Sequence, residues 1–442
     1  MFSIKTLRDY FLVSFFLIWI IPDLLIAQNC SQPGISREEF ARRRNALLSR
    51  TDTSSAVVMK SKDAHGEYDL MTYRQDQNFF YLTGISEPGI CLLISPKGID
   101  LDGIIKNTLF FAPPYSEMNK NSAEYNSDRD TILTTEEFRK IFSRMVSGIT
   151  ILYFSAPDLN FVNDWLNDKP YFILTEAKKT LKKSHPGLKI KDAGPLIASL
   201  RQIKSPQEVE LTRKAIKMTG DGIVNAMKTC KAGKWEYELR AAIEYEMIRH
   251  GAEMPAFNCI IGSGLNSLIL HYNKNNCRMN KGEVVVMDVG AQYQGYAADI
   301  TRTIPVSGKF TKEQKEIYDV VLQAQTEVIK MIRPGITTGD LDKKANEVIS
   351  RAGFKDYIRH GITHPIGLDV HDVSAGDTLL AGMIITIEPG IYIPAGDEKL
   401  SDAYHGLGIR IEDDILVTPE GYEVLSQEIP KTVEEIERGM RD

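Results

Sequence analysis

The sequence predicts an α+β protein, with an N-terminal α/β domain over 31–203 followed by a duplicated α+β unit over 204–442. Three observations carry that prediction. Residues 36–200 mix a helical pattern with short apolar strands separated by Gly, Pro and Asp turns. The texture changes after Arg201, where Ser205, Pro206 and Glu208 form a Ser-x-x-Glu capping box with proline at the first helical position. Beyond it, helix pairs alternate twice with strand pairs, although no literal sequence repeat links the two halves.

Taken in order, the chain begins with Lys5 and Arg8 before an apolar run over 11–21 that is interrupted only by Ser14 and followed by PDLLIAQ. This is the pattern of a secretory signal peptide over 1–27, cleaved after Ala27, and it predicts an exported protein, periplasmic or secreted. The run is short for a spanning helix and is broken by Pro22 and Asp23; an uncleaved anchor reaching Ala27 is the alternative reading. Cys30 does not follow a lipobox. No second hydrophobic span follows, so the mature chain is expected to be soluble, with no stable membrane span.

EEFARRRNALLSR predicts a helix, and SAVVMK, ICLLIS and TLFFAPP predict strands. Past the junction, helices are predicted over 206–230 and 235–250, then strands over 283–289 and 296–304. A second helix pair over 312–332 and 339–352 starts after Thr311 and Thr338 and stops at Gly353. Strands return in GMIITIEPGIYI and GIRIEDDILVT.

Composition narrows the chemistry. A net charge of -6 gives no general attraction to nucleic acid or anionic lipid, so neither is an expected partner. The 5 cysteines are odd in number and widely spaced, with no Cys-x-x-Cys, which argues against a disulfide framework and a thiolate zinc knuckle. There is no G-x-S-x-G elbow, phosphate-binding loop or dinucleotide fingerprint. Metal-assisted hydrolysis is left as the leading chemistry.

The acids point the same way. Strand alternation in EVVVMDVGA puts Asp288 on one face with Val284 and Val286, and in GYAADITRT it puts Asp299 with Thr301 and Thr303. A hairpin centred between Tyr293 and Gln294 would oppose Asp288 and Asp299 directly, with Cβ atoms about 5 Å apart. Like charges so close require a cation, a shared proton or solvent; aspartates in turns at the water's edge are the competing explanation. Glu388 ends the strand MIITIE and Glu412 lies within GIRIED, both among apolar residues. Arg410 shares a strand face with Glu412, so an ordinary ion pair could account for Glu412.

HGITHPIGLDVHD supplies His360, His364 and His371. Imidazole is a common metal ligand and acid–base group. Pro365 disfavours helix at His364, and Gly361 and Gly367 permit sharp bends, so this is a shaped loop or strand end. His271, in LILHYN, is a fourth histidine, for which a structural role is the simpler reading of the sequence alone.

The order MDVGAQYQGYAADITRT, HPIGLDVHD, TIEPGIY and GIRIEDD resembles the metallopeptidases of the pita-bread fold, which include methionine aminopeptidase, prolidase and aminopeptidase P. With YRQDQNFFYLTGISEPG upstream, the pattern is similar to aminopeptidase P over nearly the whole mature chain. The resemblance implies a pita-bread catalytic domain over 204–442 and two divalent ions, manganese in the first instance, held by Asp288, Asp299, His364, Glu388 and Glu412. It also implies proline-containing peptides as substrates and a homo-oligomer, dimer or tetramer. The residues alone support one metal; the second comes from the resemblance.

The reaction implied is attack of a metal-bridging hydroxide on the carbonyl before proline, releasing the first residue, with Glu388 as general base and then acid. By the same resemblance His371 would stabilise the oxyanion and His271 would hydrogen-bond the substrate. His360, Tyr392 and Arg410 are expected at the substrate pocket. Pro365 departs from the bulkier residue of many members. A prolidase is the alternative reading, and a non-catalytic peptide-binding module a more distant one.

Overall fold

The computed structural model describes residues 34–62, 73–116, 118, 130–155, 179 and 181–441. The signal segment predicted over 1–27 lies outside them. Among the described residues, no helix is long and apolar enough to cross a membrane.

Ile35–Asp442 form one compact unit. Its N-terminal part is a six-stranded mixed sheet built from β1 (Ser55–Lys60), β2 (Cys91–Leu101), β3 (Ile104–Ala112), β4 (Asp130–Thr134), β5 (Ile151–Ser155) and β6 (Lys189–Asp192), in the order β4-β3-β2-β1-β5-β6. Period-two alternation buries both faces: Val57, Met59, Leu92 and Phe110 join one cluster, while Ala56, Val58, Leu93 and Phe111 join another. The first face is covered by α1 (Arg37–Leu48) and α4 (Gly194–Arg201), the second by α3 (Thr135–Val146). Between β1 and β2, α2 (Gln77–Thr83) carries the NFFYLT stretch and is capped by Asp76.

The predicted junction at 203/204 falls between α4 and α5 (Pro206–Thr229). The capping box forms as read: Ser205 N donates to Glu208 Oε2 at 2.9 Å, and Glu208 N donates to Ser205 Oγ at 3.4 Å. Helix α6 (Glu236–Arg249) follows, then the short β7 (Met254–Pro255), β8 (Ile260–Ser263), and a broken hairpin of β9 (Val284–Val289) and β10 (Ala291–Tyr293) with β11 (Tyr296–Ala297) and β12 (Ile300–Pro305). The pattern repeats with α7 (Lys312–Ile329), α8 (Thr338–Arg351), and a second broken hairpin, β13 (Ile384–Ile387) and β14 (Gly390–Ile393) with β15 (Leu407–Arg410) and β16 (Asp413–Val417). Strand β17 (Tyr422–Val424) and α9 (Val433–Gly439) complete the chain.

Val285, Met287 and Val289 pack with Ile216, Ile243, Ile317 and Val321 of the helices. Alternation therefore turns Val284, Val286 and Asp288 to the opposite face. Helix α8 is capped by Thr337, one residue earlier than predicted: Thr337 Oγ1 accepts from Asp340 N at 3.1 Å, and the acid three residues on that completes the box follows Thr337, not Thr338.

Candidate metal centre

Each broken hairpin delivers two acids. In the first, Asp288 pairs with Thr301, and the same register runs through Gln292 opposite Ala297 and Tyr293 opposite Tyr296. The hairpin thus turns between Gln294 and Gly295, both at positive φ (48° and 83°), not between Tyr293 and Gln294 as the sequence suggested. A two-residue turn of type I′ needs the left-handed region at both positions, which the Gln-Gly pair supplies without the usual Asn-Gly signal. The one-position shift in centre moves the partner by two residues. Asp299 is therefore a diagonal neighbour of Asp288, not its opposite, but the even shift keeps both on one face. Gly290 lies opposite Asp299 in this register, and a Cβ there would overlap the carbonyl of Ala298, so the backbones approach as only glycine allows.

In the second hairpin one register also spans both halves, from Ile387 opposite Asp413 to Gly390 opposite Arg410, which places Glu388 opposite Glu412. Both acids sit in the two-residue interruptions, where the backbone leaves the ladder for other partners: Glu388 N donates to Ile362 O at 2.8 Å and Glu412 N to Thr301 O at 3.0 Å. The latter bond joins the two hairpins at the site.

His364 hangs beside β13, with Thr386 N donating to its carbonyl at 2.9 Å and its own N–H donating to Thr386 Oγ1 at 3.1 Å. Its Nδ1 lies 3.1 Å from the Pro365 carbonyl, which can only accept, so the proton belongs on Nδ1 and the Nε2 lone pair faces the acids. Nε2 is 3.5 Å from Asp299 Oδ2 and 3.7 Å from Glu388 Oε1. Asp299, His364 and Glu412 each offer a donor atom within 4.8 Å of the others.

Charge explains why a cation fits. Asp288 Oδ1, Asp299 Oδ1 and Glu412 Oε1 are buried without a hydrogen-bond partner, a costly arrangement unless something else binds them. Burial, then the neighbouring acids, pushes the Asp299 and Glu412 carboxyls well above the usual range. Burial also raises Glu388 to about 8, with Asp288 and Asp342 adding to it and Arg410 opposing. Burial lowers His364 to about 4, keeping its imidazole neutral and free to ligate. The innocent partner proposed for Glu412 does not serve it: Arg410 Nη2 bonds Asp288 Oδ2 at 2.7 Å, while Glu412 Oε2 accepts from Thr301 Oγ1 at 2.7 Å.

The raised Glu388 has a measurable consequence. Its carboxyl titrates near 4.5 when unconstrained and near 8 in the fold, so between those values the folded chain binds more protons than the unfolded one. The metal-free protein then loses stability as pH rises across that window, whereas a bound cation displaces the proton. The gain in Tm on adding Mn2+ to chelator-treated protein is expected to grow between about pH 5 and about pH 8. A gain that stays flat or shrinks in a thermal-melt series would contradict the assignment.

A cavity of about 350 Å³ opens on the acids and is also lined by His271, His360, His371 and Arg410, with Leu270 and Thr363. The rings of His364 and His371 stack with centroids 4.0 Å apart. Tyr392, expected in the lining, instead lies 1% exposed behind it. Its hydroxyl bonds His360 Nε2 at 2.7 Å and accepts from Arg410 Nη1 at 2.9 Å, so it orients two lining residues rather than facing a substrate. Reading the sequence also missed Thr301, which holds Glu412, and buried Asp414, whose Oδ2 accepts from Asp299 N at 3.1 Å. Thr301 had been placed on the face of Asp299, and Asp414 follows Glu412 and Asp413 in a run of acids; those were the available signals.

Residues 210–419 match metallopeptidase family M24, and residues 40–151 match the aminopeptidase P N-terminal domain. The chain is 34% identical to Xaa-Pro aminopeptidase of Escherichia coli (strain K12), over 91% of this chain and 97% of that protein. It is also 34% identical to Xaa-Pro dipeptidase of Pyrococcus horikoshii, over 83% of this chain and 94% of that one. A zinc-substituted Escherichia coli aminopeptidase P in complex with product superposes with a TM-score of 0.78 at 33% identity, covering 92% of this chain and 98% of that one.

Proposed function

The chain belongs to metallopeptidase family M24 as a metal-dependent aminopeptidase with the pita-bread fold, and from that premise we propose that it removes the N-terminal residue from peptides with proline second. The observation that carries the proposal is the convergence of the orphaned oxygens of Asp288, Asp299 and Glu412 with His364 Nε2 on one cavity. Asp288, Asp299, His364, Glu388 and Glu412 are the residues that would hold two divalent ions. Four carboxylates with one imidazole form a hard, oxygen-rich set that suits manganese. The ions supply Lewis acidity and a water made acidic enough to be a nucleophile at neutral pH.

The remaining work belongs to side chains. Glu388, which lines the cavity between His364 and His360, is placed to take the nucleophile's proton and return it to the departing proline nitrogen. His371 and His271 line the same cavity and are proposed to donate to the oxyanion and to hold the substrate near the scissile bond. His360, kept neutral by burial that lowers it to about 4, and Arg410 are proposed to contact the peptide, both steadied by Tyr392. We further propose export directed by 1–27, a domain division at 203/204, and a homo-oligomeric state.

Xaa-Pro-Yaa peptides, Xaa-Pro dipeptides and peptides without proline, offered to the metal-loaded protein, test the proposal. Release of the first residue from Xaa-Pro-Yaa is expected. Turnover of the dipeptide alone would make the chain a prolidase. Bound metal without turnover of any of the three would make it a binding module.

A further inference from the structure

The segment carrying His371 is anchored from outside the catalytic motifs. Arg201, at the end of α4 and 3% exposed, donates from Nη2 to Asp369 Oδ2 at 2.9 Å, also contacts Asp372 Oδ1, and donates from Nη1 to Asn78 Oδ1 at 2.8 Å. Lys204, also buried, donates from Nζ to Asp372 Oδ2 at 3.1 Å. Arg201, Lys204 and Asp372 are thus enclosed where the N-terminal part meets the catalytic part, while Asp369, half-buried and also 3.8 Å from Arg74, closes the cluster on its solvent side; Asn78 belongs to the YRQDQNFFYLTG stretch of the N-terminal sheet domain.

What they enclose is the turn 365–372. Asp372 N donates to Pro365 O at 2.9 Å, Gly367 N to Asp369 O at 3.0 Å, and Ala297 N, in strand β11 of the metal-centre hairpin, to Gly367 O at 2.8 Å. Gly367 is required there, since a Cβ would overlap Asp372 Oδ2 and press on Lys204 Cε. His371 is the residue next to Asp372, and its ring lies on that of His364. A buried, hydrogen-bonded ion cluster fixes direction as well as contact, which an apolar packing surface would not.

We propose that Arg201 and Lys204 are positioning residues for catalysis: by gripping Asp372 they hold the imidazole of His371 at the angle the reaction needs. The N-terminal domain then takes part in the chemistry through Arg201 and Asn78, although none of its described residues lines the cavity. The inference rests on the role proposed above for His371.

The test compares Asp372→Asn, His371→Ala and the double variant in the metal-loaded full chain, with kcat, KM and bound metal measured on one Xaa-Pro-Yaa peptide. A displacement of roughly 1 Å costs about 10²-fold in rate, so Asp372→Asn is expected to lower kcat by about that factor with KM and metal content near wild type. Because the effect passes through His371, the double variant should be no slower than His371→Ala. Multiplying losses in the double variant, an unchanged kcat in Asp372→Asn, or a loss in step with lost metal would overturn the proposal. If His371→Ala itself keeps full kcat, the assigned role of His371 fails first, and this inference with it. Should Asp372→Asn not fold, Arg201→Lys, which keeps the charge but loses the forked grip, is read against His371→Ala in the same way.

Discussion

Replacing Glu388 by Gln is expected to lower kcat on Xaa-Pro-Yaa peptides by roughly 10³-fold or more, at the upper part of the range for losing a positioned proton carrier. The expectation follows from where the side chain sits. Glu388 is in the interruption between β13 and β14, opposite Glu412 in register, with Oε1 turned to His364 and Oε2 3.7 Å from His360 Nδ1. A bound cation displaces the proton that burial would otherwise hold on Glu388, which leaves a carboxylate lining the cavity and placed to accept the nucleophile's proton. The amide has nearly the same shape but cannot take up a proton near neutral pH, so the loss should fall on kcat with a smaller effect on KM. Metal content measured on the same sample separates lost proton transfer from lost ligation. A Gln variant that turns over at near wild-type rate would remove Glu388 from the mechanism.

How far the sequence foretold this differs by level. Strand alternation was enough to put Asp288 and Asp299 on one face, because the period of two survives an error in register. It could not place the turn, since Gln294 and Gly295 are a weak turn signal, and so it paired Asp288 with Asp299 where the structure pairs it with Thr301. The capping box located α5 well, and the cap residue Thr311 located α7, because both signals are local; where two threonines stood together, at Thr337 and Thr338, only the position of Asp340 decides.

Side-chain partners were the least legible. Arg410 shares a sequence neighbourhood with Glu412, yet its carboxylate is Asp288, 122 positions away in the chain. Tyr392 looked like a lining residue and is instead a brace for two others. The ion cluster of Arg201, Lys204 and Asp372 joins positions about 170 residues apart, with separations of 171 and 168, and although Asp372 closes the HPIGLDVHD motif nothing near it in sequence points to Arg201 or Lys204. Such contacts are fixed by tertiary packing, to which local periodicity is blind.

Replacing Asp299 by Asn is expected to empty the centre. Asp299 is 5% exposed, one of its carboxylate oxygens is orphaned, and it lies within reach of both His364 and Glu412. Loss of this proposed ligand should release at least one ion and abolish turnover, whereas the hairpin, held by backbone bonds and by Asp414 on the Asp299 N–H, should persist. Far-ultraviolet circular dichroism is therefore expected to stay native while activity disappears. The most direct measurement is elemental analysis of bound metal per chain, after removal of free metal, for the native protein and the Asp299→Asn variant side by side. The centre described here predicts two ions per native chain and one or none in the folded variant; an active native chain with a single ion, or a variant that keeps two, would contradict it.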